Sequence, residues 1–239
     1  VRVPVQMAGL FSNLDEIDLF DSPGSTGIAT GNSVEEAKLA ALLEVIERDA
    51  EATTPFAKTG CFVLEADPGQ DPLIARLLDD YKARGINVQF QDITGPMGVP
   101  VFQCFVMSPK GAIARGYGAG LSAKKAVISA LTETPYPYPD GEPSGPLLRK
   151  LPVKKLHELP DYSLGSPSAD SAMLEELLIR NGRTPVYVNL TRTGLDFPVI
   201  RALVPGMELA SDSDAFSRVP WRLYLNYLRL FAGDTDQGS

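Results

Sequence analysis

The sequence predicts an α/β protein, with mixed β-sheets, packed helices and a pseudo-duplicated unit. Three observations carry that expectation. Strand-like runs rich in Val, Ile and Phe alternate with amphipathic helix-like runs along most of the chain. At 239 residues, 44% of them hydrophobic, the chain is long enough for one large domain or two small ones with a real core. A glycine-rich turn followed by a serine and a helix occurs twice at a constant offset.

Taken in order, residues 1–10 (VRVPVQMAGL) read as a strand and 21–33 (DSPGSTGIATGNS) as a Gly/Ser/Thr loop. Residues 31–50 (GNSVEEAKLAALLEVIERDA) read as one helix with Ser33 as its N-cap. CFVLEA (61–66) is a strand, and PLIARLLDDYKARG (72–85) an amphipathic helix stopped by Gly85. INVQFQDIT (86–94) and VPVFQCFVMS (99–108) are strands. GAIARGYGAG (111–120) reads as a turn, a short strand and a second glycine loop, and SAKKAVISALTE (122–133) as a helix. The prolines of TPYPYPDGEPSGP (134–146) prevent that helix from continuing. This stretch reads either as a rigid surface loop or as a groove wall for a peptide, with Tyr136 and Tyr138 as its aromatic sides. A helix over 169–182, strands over 184–191 and 198–204 and a frayed tail over 233–239 complete the reading, so that 1–232 is treated as a single domain.

Shifted by 89 residues, Gly27 falls on Gly116, Gly31 on Gly120, Ser33 on Ser122, Ala37 on Ala126, Ala41 on Ala130, Leu42 on Leu131 and Glu44 on Glu133. Two helices packed alike would choose similar small residues. A duplicated unit presenting acids to one shared site would do the same.

The first of these helices carries the chemistry. With Glu36 set at 0°, Glu47 lies at about 20°, Ala40 at about 40°, Glu44 at about 80° and Arg48 at about 120°. Leu39, Leu42 and Ile46 lie on the opposite side, so a core face is separate from an acidic stripe. Ser33 and Glu36 fit a capping box, and Glu44 and Arg48 fit an i,i+4 ion pair. Against these local roles stand the small Ala40 and Ala41, the glycine loop whose amides suit a phosphate, and the repulsion among neighbouring carboxylates. That repulsion is about 4 kcal/mol at ~4 Å and an effective dielectric near 20. A hard divalent cation removes it, and Mg²⁺ with a nucleotide uses few carboxylates, water and phosphate oxygens. No P-loop signature is present.

A net charge of −8 argues against a general nucleic-acid surface, which needs a positive face. Cys61, Cys104 and the single His157 form no metal-ligand pattern. Two buried thiols in a reducing cytoplasm are expected. No apolar run approaches ~18 residues, so no membrane span is expected, and no signal peptide is read. The chain opens on Val1 in strand-like sequence, and an N-terminal part is expected to precede it.

Asn32-x-x-x-Glu36, seven residues, then Glu44-x-x-Glu47-Arg48 resembles the ATP-binding signature of YcaO proteins. STGIATGNSVEEAKLAALLEVIERDA, GYGAGLSAKKAVISALTE and VYVNLTRTGLDFPVIRALVPGMEL agree with it in order over nearly the whole chain. The resemblance implies ATP and Mg²⁺ as cofactors and phosphorylation of a backbone amide oxygen of a peptide or protein. Its products would be azolines, macroamidines or thioamides. It further implies that Glu36, Glu44 and Glu47 bear on Mg²⁺, with Asn32 and Arg48 on the nucleotide and Ser25 and Glu133 completing the nucleotide site. An amide oxygen is a poor leaving group that phosphorylation improves, and such transfer is positioning plus charge neutralisation.

Two departures are visible. Family members continue the second helix as TEAxQSR, whereas Glu133 here is followed by TPYPYP. The proline-rich carboxyl terminus of azoline-forming members is replaced by GDTDQGS. These point towards thioamidating or related members. A TfuA-like or other accessory protein, or a second copy of the chain, is then a candidate partner. The competing expectation is a non-catalytic YcaO-like scaffold or peptide-binding partner, including an accessory factor to a ribosomal-protein methylthiotransferase.

Overall fold

The computed structural model describes residues 2–3, 5–8, 24–55, 60–136, 141–147, 150–208 and 220–232. In chain order its elements are α1 (Val5–Ala8), β1 (Ile28–Thr30), α2 (Val34–Thr53), β2 (Cys61–Glu65), α3 (Pro72–Ala83), β3 (Val88–Asp92), β4 (Val101–Met107) and β5 (Ile113–Ala119). There follow α4 (Ala123–Glu133), β6 (Val153–Lys155), a 3₁₀ turn (Leu156–Glu158), α5 (Pro167–Arg180), β7 (Val186–Asn189), β8 (Val199–Leu203) and α6 (Trp221–Ala232). Within the span read as one domain, the chain packs as two compact units. One is Val1–Ala57 with Leu164–Ser239, the other Lys58–Ser163.

The first unit is built on the antiparallel sheet β1-β8-β7. α2 lies on β8 and β1 and also packs on α5. Its buried apolar side, Ala37, Ala41, Leu42, Val45, Ile46 and Ala50, contains the expected Leu42 and Ile46 but is wider than expected: Ala41, read as part of the stripe, is wholly buried, and Leu39 is only partly so. The Ser33 hydroxyl caps it, accepting from Glu36 N at 3.1 Å. α5 starts at Pro167, two residues earlier than expected, because Ser166 caps it and proline suits the first helical position.

The second unit is a five-stranded mixed sheet ordered β5-β4-β3-β2-β6, antiparallel except where β6 runs parallel to β2. Ile74 and Tyr81 of α3 and Ala126, Val127 and Leu131 of α4 join Phe62, Phe90, Phe102 and Val106 of the sheet in its core. Phe62 stacks on Phe90 at 5.8 Å and meets Phe102 edge-on at 6.1 Å. Cys104 is buried here, and burial pushes its thiol up to about 12, against a smaller opposing pull from Thr134. Tyr136 packs on the same core and donates to the Glu142 carbonyl at 2.7 Å. Tyr138 lies outside the described residues, as does the tail expected to fray.

Three expectations are corrected. Residues 5–8 form a helical turn, not part of a strand. The apolar start of VRVPVQMAGL reads as a strand, but Gln6, Met7 and Ala8 are better helix formers. The expected loop over 21–33 contains β1, whose Ile28, Ala29 and Thr30 pair with Arg201, Ile200 and Val199. The second glycine loop is instead the continuous strand β5. Its glycines are there for contact with α4. A Cβ on Gly118 would lie 2.1 Å from the Ala126 carbonyl oxygen, and one on Gly116 2.4 Å from that of Ala130.

The sequence echo therefore has a shared local geometry. A Cβ on Gly31 would approach Ala37 N to 2.6 Å, and one on Gly120 would approach Ala126 N to 3.3 Å. In each copy the helix folds back on the strand that feeds it. The copies differ at their caps, because Ser122 makes no side-chain cap and donates to Asp161 at 3.1 Å.

Gly118→Ala forces backbone against backbone, which side-chain rotation cannot relieve. Its expected cost is roughly 3 kcal/mol, the upper range for an overpacked core, read as a lower urea midpoint with an unchanged slope.

Candidate functional site

The candidate site is built where the turn at residues 24–27 feeds β1 and α2. Gly24 and Gly27 have φ of 55° and 77°, and a Cβ on Gly27 would stand 2.3 Å from the Ala202 carbonyl oxygen. The Gly27 carbonyl accepts from Ala202 N at 2.8 Å, and Ile28 N closes the turn on the Ser25 carbonyl at 3.0 Å. Ser25 itself is exposed. At the mouth of α2, Asn32 N and Nδ2 both donate to Glu36 Oε2, at 2.8 and 2.9 Å. The capping role of Glu36 is thus directed to Asn32 instead of the Ser33 backbone, and the pair orient each other.

Further along α2 the stripe is not a solvated face. Glu47 is only 7% exposed. Arg48 reaches Glu51 at 2.6 Å and Glu47 at 3.3 Å. Burial alone would lower the Arg48 pKa, but the Glu51 hydrogen bond and the charges of Glu47, Glu51 and Glu44 raise it overall. The guanidinium therefore stays a fixed positive charge among carboxylates. Beneath the turn lies Arg201, wholly buried, whose Nη2 donates to the Gly24 carbonyl at 2.8 Å. Burial lowers its pKa while the Glu44 charge acts in the other direction.

Ser25, Asn32, Glu36, Glu44, Glu47 and Arg48 all belong to the first unit. Glu133 belongs to the second, exposed at the last position of α4. Among the described residues no three His, Cys, Asp or Glu side chains are grouped to hold a metal by themselves. Glu36, Glu44 and Glu47 hence form no closed cage. Their oxygen-only chemistry still fits Mg²⁺, which completes its octahedron with water and phosphate oxygens.

Two features were not anticipated. Asp49, 5% exposed on the core side of α2, accepts Arg222 Nη1 at 2.7 Å, Arg222 Nη2, and Glu208 N at 2.6 Å. Asn226 adds a bond to the Thr53 carbonyl at 2.7 Å, so α6 is latched to the end of α2. Proline at 220 before a 3.6-residue apolar repeat signals α6, and an aspartate among the leucines of α2 signals a buried partner. Arg201 between Ile200 and Ala202 in an apolar strand is a comparable signal.

A family model described as YcaO cyclodehydratase, ATP- and Mg²⁺-binding, matches residues 1–136, more than half of the chain. An uncharacterized protein of Methanothermobacter thermautotrophicus is 27% identical over 225 residues, covering 82% of this chain and 58% of that protein. Among solved structures, a heterocyclase in complex with substrate and cofactor superposes with a TM-score of 0.70 at 20% identity, over 87% of this chain and 31% of that one. The heterocyclase TruD gives 0.68 at 21% identity, over 92% and 35%. The YcaO protein of Methanopyrus kandleri bound with AMPPCP and Mg²⁺ gives 0.57 at 22% identity, over 80% and 57%. These likenesses show a shared fold, and the chain spans 58% of the length of its curated relative. No helix among the described residues is long and apolar enough to cross a membrane.

Arg222→Met removes the guanidinium from a buried carboxylate. The expected loss is roughly 3 kcal/mol, in the range for breaking one side of a buried pair. Urea unfolding checks it, and Asp49→Asn combined with Arg222→Met should cost less than the two singles summed.

Proposed function

The chain belongs to the YcaO family, and from that premise we propose that its glycine turn and α2 bind Mg-ATP for activating a backbone amide of a ribosomally made peptide or protein. The observation that carries this reading is the buried Glu47 carboxylate beside Arg48. A carboxylate kept out of water is retained where it is paired or ligates a cation, whereas a solvated helix face would leave it exposed. ATP and Mg²⁺ are what the family is described as binding. Bound Mg-ATP supplies the phosphoryl group that turns an amide oxygen into a leaving group.

The chain's own residues do the rest. Glu36, Glu44 and Glu47 offer hard oxygen donors for the cation. Asn32 holds Glu36 at the mouth of the helix and faces the nucleotide there. Arg48, charged and anchored by Glu51, offsets phosphate charge. The exposed turn at Ser25 brings backbone amides to the phosphates. Thioamide formation with a TfuA-like partner is the finer reading, supported by the departure from the family motif after Glu133.

One observation favours a second reading, the non-catalytic scaffold. α4 stops at Glu133, and its Thr134 cap is extended, where the family motif would continue as helix. Peptide-stimulated ATP hydrolysis by the whole protein separates the two: turnover supports the enzyme, and binding without turnover supports the scaffold.

Glu47→Gln is expected to weaken binding of Mg²⁺ with a non-hydrolysable ATP analogue on the order of tenfold or more, measured by titration calorimetry. Leu42→Ala, on the opposite and fully buried face, should instead cost roughly 2–5 kcal/mol of stability and leave the affinity of the folded protein near that of the parent. Equal affinity in Glu47→Gln would return the stripe to a structural role.

A further inference from the structure

Arg201 is the largest wholly buried side chain among the described residues, at 0% exposure. Burying a guanidinium costs several kcal/mol unless charge and hydrogen bonds compensate, and an apolar residue of similar size often serves a core as well or better. Its place in the fold suggests what the charge achieves there. Arg201 lies on the middle strand β8, opposite Ile28 of β1 and Val188 of β7. Its guanidinium reaches across 177 positions of sequence to the Gly24 carbonyl. The next residue, Ala202, donates its backbone N–H to the Gly27 carbonyl at 2.8 Å. Two consecutive residues of β8 therefore pin the two ends of the turn, one by its side chain and one by its backbone. Val45, the neighbour of Glu44 on α2, closes over the same turn, since a Cβ on Gly27 would meet Val45 Cγ2 at 2.9 Å.

We propose that Arg201 is a positioning residue of the nucleotide site, fixing the turn at 24–27 and the Glu44 carboxylate relative to each other so that amides and acids address one ligand. This rests on the Mg-ATP reading given above. Arg201 is screened from any ligand by its burial and acts through Gly24 and Glu44. The attraction between its charge and that of Glu44, which offsets part of the desolvation, has the sign this role requires. Lysine at 201 would keep the charge but lose the planar guanidinium that donates to the Gly24 carbonyl. Charge alone is therefore an insufficient substitute.

The test uses the full protein with Arg201→Lys, Glu44→Gln and the double variant. Two readouts are taken: amide hydrogen exchange without nucleotide, and calorimetric binding of Mg²⁺ with a non-hydrolysable ATP analogue. Arg201→Lys should speed exchange at residues 24–28 while α5 and β4 exchange as in the parent. It should also raise the dissociation constant on the order of tenfold, as loss of an outer support to a metal site does. In the Glu44→Gln background the same change should raise it far less, because both act on one carboxylate. Glu44→Gln, which leaves Arg201 in place, should by itself speed exchange in the turn, and this arm keeps the proposal testable if Arg201→Lys does not fold. A parent that binds the analogue and an Arg201→Lys protein that binds it equally well, with a lower melting temperature only, would reduce Arg201 to a structural staple and leave the Mg-ATP reading standing. An unchanged turn in Glu44→Gln likewise overturns the coupling. A parent that binds no analogue overturns the Mg-ATP reading itself, and the functional role of Arg201 with it.

Discussion

The close approach of a helix to the strand that feeds it is the contact on which the rest of this structure depends. At Gly31 in the first unit and at Gly116 and Gly118 in the second, a Cβ would collide with the backbone of the helix, and at Gly27 it would meet the Ala202 carbonyl of β8 and the Val45 side chain of α2. Small side chains on the helix, Ala37 and Ala41 in one case and Ala126 and Ala130 in the other, complete the contact. A helix laid this near its strand gains dispersion contacts along its length. In the first unit a bend with two positive-φ glycines also lies against Val45 in the middle of α2. The candidate site follows from that placement, with a turn rich in amides at one end and carboxylates along the neighbouring helix.

Periodicity made most of the fold legible. The apolar face of α2, the helices α3 and α4, and the strands β2, β3, β4, β7 and β8 all fall where the 3.6- and 2-residue patterns put them, within a few residues at the ends. What was not legible shares one cause. Glycine was read as a loop former because it frees φ, but in β5 it serves packing, and that role appears only once α4 is in place. β1 is three residues long, and its pairing with β8 decides its state, not its own propensity. The site was legible in the same uneven way. The spacing of Asn32, Glu36, Glu44, Glu47 and Arg48 can be read along one helix. The partners Arg201 and Arg222 are more than a hundred positions away, and no local pattern ties them to α2.

Charge is distributed over α2 with a consistent logic. On the side facing the core, Asp49 is neutralised by a guanidinium delivered from α6. On the stripe, Arg48 is held among three glutamates, and the helix carries no basic residue in its last turn. The protein thus uses arginine, not lysine, at each buried carboxylate of this helix, consistent with a planar fork that satisfies two acceptors at once. Lysine appears where exposure is greater, as with Lys38, which approaches Glu175 at 3.7 Å and lies over the Tyr187 ring.

The discontinuity of the first unit has a consequence for how the protein is made. Lys58–Ser163 is one continuous stretch whose strands pair mostly with their sequence neighbours, so it has the low contact order of a quickly closing module. The turn at 24–27 leaves the ribosome well before β8, which carries its anchors. At synthesis rates of roughly 5–20 residues per second, that is a delay of about ten seconds or more. During that interval α2 has its acids and its apolar face but neither β8, which covers it, nor Arg222, which neutralises Asp49. Helix α2 leaves the ribosome before most of the elements it packs on, β8, α5 and α6. Its exposure during translation is a cost of building one unit from both sides of another.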